Sequence, residues 1–232
     1  MHGPLDHQLA LTFAVVFPVV ATPVYRRRRP ALLAGDLRVR RREFLETLVW
    51  LGAMGVCTVA VWTGTGRDLT ALGLTVPAGR RGWLGMTLAG VAAMALFVQT
   101  WAVRRDPTTR EAARTAFEGE RDFLPTRRSE RHLFWAIALA AGVAEELFFR
   151  GFLIAYGVLW LPTPATVVVS SVLFGLVHVM HGSRATLRAT GLGLVLAVLY
   201  VWSGSLWPSI LLHTGIDWSS AESGYFALGD GC

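Results

Sequence analysis

Seven stretches of the chain are apolar almost throughout: residues 7–25, 44–62, 82–103, 132–160, 165–181, 185–202 and 206–228. A hydrocarbon core about 30 Å thick takes roughly 20 apolar residues of helix, and most of these runs reach that length. Helices are the only open-ended elements that satisfy their own backbone groups in lipid. The pattern therefore predicts an all-α, polytopic transmembrane helical bundle of about seven spans. Pro18 and Pro23 predict a kink in the first span. The last run carries His213, Asp217 and Glu222, and only its first part is convincingly apolar.

Composition agrees with a membrane protein. Of 232 residues, 53% are hydrophobic and only 16% charged, where a soluble domain has about a quarter charged. The net charge of +6 raises the possibility of nucleic acid until its placement is considered. Eight arginines lie in 26–43, eight in 104–131, and Arg184 and Arg188 lie in 181–188. The alternate connections hold only Arg67, Arg80 and Arg81. Eighteen against three reads as N-terminus outside and C-terminus inside. It also assigns the charge to anionic lipid rather than to nucleic acid. All 22 basic residues are arginine, and Lys and Asn are absent, as in a GC-rich bacterial genome. The expected location is a bacterial inner membrane. Cys57 and Cys232 offer neither a disulfide framework nor a metal-ligand spacing. Cys232 lacks the three following residues of a prenylation box, and the N-terminus lacks the basic region of a cleaved signal peptide.

The chain divides by character. Residues 1–103 give three spans with no ionisable residue in their middle, 104–131 a charged connector expected to be part helical on the membrane surface, and 132–232 a core holding the buried charges. In that core "AGVAEELFFRGFL" sets Glu145, Glu146 and Arg150 inside an apolar helix. Charges at that depth cost a few kcal/mol each and point to function. Glu146 and Arg150, four apart, share a face in the order that favours an ion pair; Glu145 is turned about 100° away. Phe174 and His178 are also four apart, as are His213 and Asp217. Polar stripes on lipid-embedded helices turn toward one another, so Glu145, His178, His213 and Asp217 are expected around one cavity. Glu145 with His178 could activate a water for attack on a carbonyl, and His213 with Asp217 could support the oxyanion. Geometry supplies only the shared face within each pair; this division of labour is a hypothesis.

These motifs resemble the CPBP intramembrane proteases, the CAAX-processing and bacteriocin-processing enzymes also called the Abi family. The family pattern EExxxR, FxxxH, HxxxN or HxxxD is met in order by Glu145-Glu146 with Arg150, Phe174 with His178, and His213 with Asp217. The resemblance covers roughly residues 131–220. It implies a glutamic endopeptidase in which Glu145 and His178 activate water, His213 and Asp217 hold the oxyanion, and Glu146, Arg150 and Phe174 support them. Its substrate would be a peptide or protein and its other partner membrane lipid, with no cofactor. The ligand types would accept zinc, although no HExxH is present.

Each residue also has a plainer reading. Glu146 and Arg150 can staple helices, the two histidines can be hydrogen-bonded packing groups, and Asp217 can be solvated near the interface. His181, at a helix end, reads as interfacial. Trp101, Trp160, Trp202 and Trp207 read as interface anchors, and Gly191 and Gly193 as sites of close helix packing. Two other functions remain open. A catalytically silent immunity or scaffold protein would have no need of an unprotected Glu145, and a proton-coupled transporter would show polarity in both halves.

Overall fold

The computed structural model describes residues 3–229; Cys232 lies outside them. Helix follows helix, with no strand among the described residues. We label the helices α1 (Pro4–Leu33), α2 (Leu37–Gly64), α3 (Gly79–Arg105), α4 (Pro107–Phe117), α5 (Arg128–Glu145), α6 (Thr163–Leu176), α7 (Ser183–Ser203) and α8 (Trp207–Leu228). Helix α5 runs on through a π-helical stretch, Glu146–Phe152, into Leu153–Gly157.

The all-α expectation holds; the seven spans are not confirmed. Among the described residues, α1, α2, α3 and α7 are the four helices long and apolar enough to cross a membrane. The other three apolar runs fall short of that standard. The run at 132–160 carries three charges at its centre, and the one at 165–181 stops as helix at Leu176 after 14 residues. The run at 206–228 is a continuous helix of 22 residues with polar groups along it. The arginine run 26–29 is not loop: α1 continues to Leu33, and only residues 34–36 join it to α2, which Asp36 caps through the Arg38 and Val39 amides. Helix α1 contains a π-helical segment, Thr12–Val16, just before Pro18.

The arginine-rich segments gather at one end of the bundle. There Arg29 meets Asp122 at 2.6 Å, Arg188 meets Glu120 at 2.6 Å, and Arg40 meets Glu130 at 2.6 Å. At the opposite end Arg67 pairs with Asp6 at 2.5 Å, and the Leu206 amide donates to the Gly73 carbonyl. Asp6 and Arg40 are buried, so buried charge is not confined to residues 132–232. Both sit near ends of their helices, where an apolar mid-span gives no hint of them. Between the two ends the core is aromatic. Phe148, Phe149, Phe152 and Phe174 are fully enclosed, and Phe148, Phe152 and Tyr156 stack in sequence along α5.

Candidate active site

The π-helical stretch begins at Glu146, directly after Glu145 ends the regular turns of α5. A π turn adds a residue to the helical circuit and often occurs where side chains must be re-aimed. Glu146 and Arg150 both face inward, with Arg150 Nη1 donating to Glu146 Oε1 at 2.8 Å and neither side chain exposed beyond 1%. The guanidinium also donates to the Gly193 carbonyl on α7 at 3.2 Å and lies 4.2 Å over the Phe174 ring. Gly193 permits this approach, since a Cβ there would press on Phe174 and the Ser171 backbone; Gly191 faces open space and packs on nothing.

Helix α8 brings the second histidine. His213 Nδ1 donates to Glu146 Oε1 at 2.8 Å, so one carboxylate oxygen serves both Arg150 and His213. Its other oxygen, Oε2, is buried without a hydrogen-bond partner. Fixing Nδ1 aims His213 Nε2 between two more carboxyls: Glu145 Oε2 at 3.5 Å and Asp217 Oδ2 at 3.6 Å. Those separations exceed a firm hydrogen bond. Helix α8 comes this close because Gly142, one turn before Glu146, has no side chain to collide with Thr214.

His178 follows α6 in the turn that begins a short 3₁₀ segment, Val179–His181. Its Nδ1 lies 2.8 Å from the Phe174 carbonyl. A carbonyl only accepts, so Nδ1 carries the proton and Nε2 is the ring's basic nitrogen. Phe174 itself packs between both histidines, 5.0 Å from His178 and 5.7 Å from His213.

Glu145 and His178 line one cavity of about 440 Å³. Phe13, Val20 and Tyr25 of α1 and Leu51 and Met54 of α2 form its apolar walls, and Arg28, Glu43 and Glu46 lie toward the arginine-rich end. Of the seven residues read from sequence, Glu145 and His178 face this space. His213 and Asp217 stand beside Glu145, while Glu146, Arg150 and Phe174 form the buried support. Asp217 keeps 30% of its side chain exposed. Among the described residues, no three His, Cys, Asp or Glu side chains converge as a metal-binding set.

Three features were missed. His181, read as interfacial, lines the cavity, its ring 4.7 Å from Tyr25 and 4.8 Å from Phe123; its place three residues after His178 was the available signal. Helix α1 supplies a wall of the cavity, and Glu146 holds His213 as well as Arg150.

A comparison with protein families finds a similarity over the part of the chain that holds this arrangement. The family model "Type II CAAX prenyl endopeptidase Rce1-like" matches residues 128–219. Residues 128–219 are similar to that family, which is consistent with the CPBP/CAAX proteases. No curated protein and no solved structure matches the chain. The Rce1-like segment contains all seven residues of the site. The apolar helices and this similarity suggest an integral membrane protein.

Proposed function

We propose that this protein is an intramembrane endopeptidase of the glutamic type, hydrolysing a peptide bond in a peptide or protein substrate with water activated by Glu145 and His178. One observation carries the reading: the two residues, from different helices, border the same cavity, whereas neighbouring Glu146 is occupied by Arg150 and His213. A carboxylate that only stapled helices would resemble Glu146, not Glu145.

In the proposed reaction a water bound between Glu145 and His178 Nε2 gives a proton to the Glu145 carboxylate as its oxygen attacks the scissile carbonyl carbon. The tetrahedral oxyanion is met by His213 Nε2–H when that nitrogen is protonated, with Asp217 beside it to hold the ring's charge. The C–N bond then breaks as Glu145 passes its proton to the leaving nitrogen, yielding one new carboxyl and one new amine. Glu146 and Arg150 position His213 and do not touch the reacting atoms. The arginine-rich end is inferred to face the cytoplasm of a bacterial cell, so substrate reaches the cavity from that side or from the lipid.

The test is cleavage in H₂¹⁸O of a fluorogenic peptide library by the purified, lipid-reconstituted protein. Incorporation of label into the new carboxyl terminus, lost in Glu145→Gln and in His178→Ala, is the expected result. Cleavage that persists in Glu145→Gln contradicts the assignment. A phenotype that survives Glu145→Ala at normal expression favours the silent scaffold of the same fold.

A further inference from the structure

Outside the catalytic cavity, the outer face of α2 carries a shallow groove of about 510 Å³. Its upper lining is arginine: Arg38, Arg41 and Arg42, in the first two turns of the helix. Below them the same face turns apolar through Leu45, Val49 and Trp50, which are 44%, 70% and 47% exposed. The spacing of three and four residues keeps all six on one stripe. Arg42 is paired with Glu46 at 2.6 Å. Arg38 and Arg41 are exposed and make no ion pair among the described residues.

Helix α2 has 28 residues and is about 42 Å long, some 12 Å more than the hydrocarbon core. Placing the apolar part of α2 in the core leaves its arginine-bearing turns at the headgroup level, with Leu45 at the boundary and Val49 and Trp50 within. Two uncompensated cations at headgroup height above an apolar stripe match one molecule on both counts. We propose that this groove binds an anionic phospholipid, its phosphate held by Arg38 and Arg41 and one acyl chain lying along Leu45, Val49 and Trp50. A soluble phosphate meets only the upper half of the groove, and a zwitterionic lipid brings no net charge to the two cations.

The groove touches the catalytic cavity. Trp50 and Glu46 line both, and Glu46 is shared between Arg42 on the groove side and Arg28 on the cavity side. Bound lipid is thus placed against the cavity wall, independently of the reaction assigned there.

The test uses the full chain in nanodiscs of phosphatidylcholine with a minor fraction of phosphatidylglycerol, with lipids retained after extraction counted by native mass spectrometry. The expected result is retained phosphatidylglycerol in the natural protein and a roughly 30-fold weaker affinity in the double variant Arg38→Gln/Arg41→Gln, the loss of two charge contacts at a membrane surface. Arg80→Gln/Arg81→Gln removes the same charge elsewhere and is expected to leave retention unchanged. Trp50→Ala/Val49→Ala is expected to weaken retention, and millimolar glycerol phosphate is expected not to displace the lipid. Equal losses in the two arginine pairs would mean diffuse attraction, and displacement by glycerol phosphate would mean a simple anion site; either overturns the proposal. Circular dichroism of each variant checks that the helices persist.

Discussion

Two buried arginine–carboxylate pairs in this molecule are built to opposite standards. At the arginine-rich end, Arg40 gives two hydrogen bonds to Glu130 and donates to the carbonyls of Leu32, Arg121 and Leu124. Glu130 in turn accepts from the Thr126 and Arg127 amides. All three guanidinium nitrogens of Arg40 and both carboxylate oxygens of Glu130 are engaged, and the pair ties α1, the connector and the start of α5 into one node. In the core, Glu146 Oε1 takes both Arg150 and His213 while Oε2 has no partner, and two further carboxyls crowd the far side of the imidazole. A saturated network is a fastening. An unsaturated one, beside a cavity, suits the proposed chemistry.

The comparison can be broken by substitution. The largest effect is expected from Glu145→Gln, which should lower peptide cleavage by roughly 10²- to 10⁴-fold, the worth of a positioned general base, with the thermal unfolding midpoint unmoved. Arg40→Ala should do the reverse. It strands the Glu130 charge in the interior and should cost about 3–5 kcal/mol of stability, read by unfolding in detergent, while kcat of the surviving folded fraction stays near normal. Gly142→Val tests how the site is assembled. A side chain there drives α8 from α5, and overpacking should cost about 1–3 kcal/mol together with a fall in kcat as His213 leaves Glu145.

The smallest effects belong to the helix caps. Asp36→Ala should cost about 1 kcal/mol through loss of the α2 cap, sharpening the contrast with Arg40 one turn later. Asp106, which caps α4, is held below the ordinary carboxylate range by hydrogen bonds from the Thr109 hydroxyl and amide. Its folded-state value is depressed, so the stabilisation is present above the usual aspartate value of about 3.9 and is lost as pH falls through the lowered one. Amide exchange of α4 as a function of pH reads this directly, and Asp106→Asn should flatten the profile.

Much of the candidate site was legible because its residues announce themselves locally. A charge inside an apolar run is conspicuous, and spacings of four on one helix fix which residues share a face. Those two signals delivered Glu145, Glu146, Arg150, Phe174, His178, His213 and Asp217. What they could not deliver is any relation between helices. Nothing near Glu146 in sequence tells that His213, 67 residues away, will take its oxygen. Nor does any local pattern show that α1 walls the cavity or that α5 passes into a π-helical stretch, since all three follow from tertiary packing. Seven spans are not confirmed for a related reason. Hydropathy reads residues 165–181 as one run, yet the helix ends at Leu176 and His178 follows in the turn.

Glu145 is proposed to act in hydrolysis rather than as a structural charge. The most direct measurement is a quantitative comparison of peptide termini in membranes from cells carrying the natural protein and cells carrying Glu145→Gln at equal abundance. The account predicts at least one precursor that accumulates uncut in the variant, with its mature terminus missing. Identical sets of termini in the two membranes, with growth under conditions where the protein is needed, would contradict it.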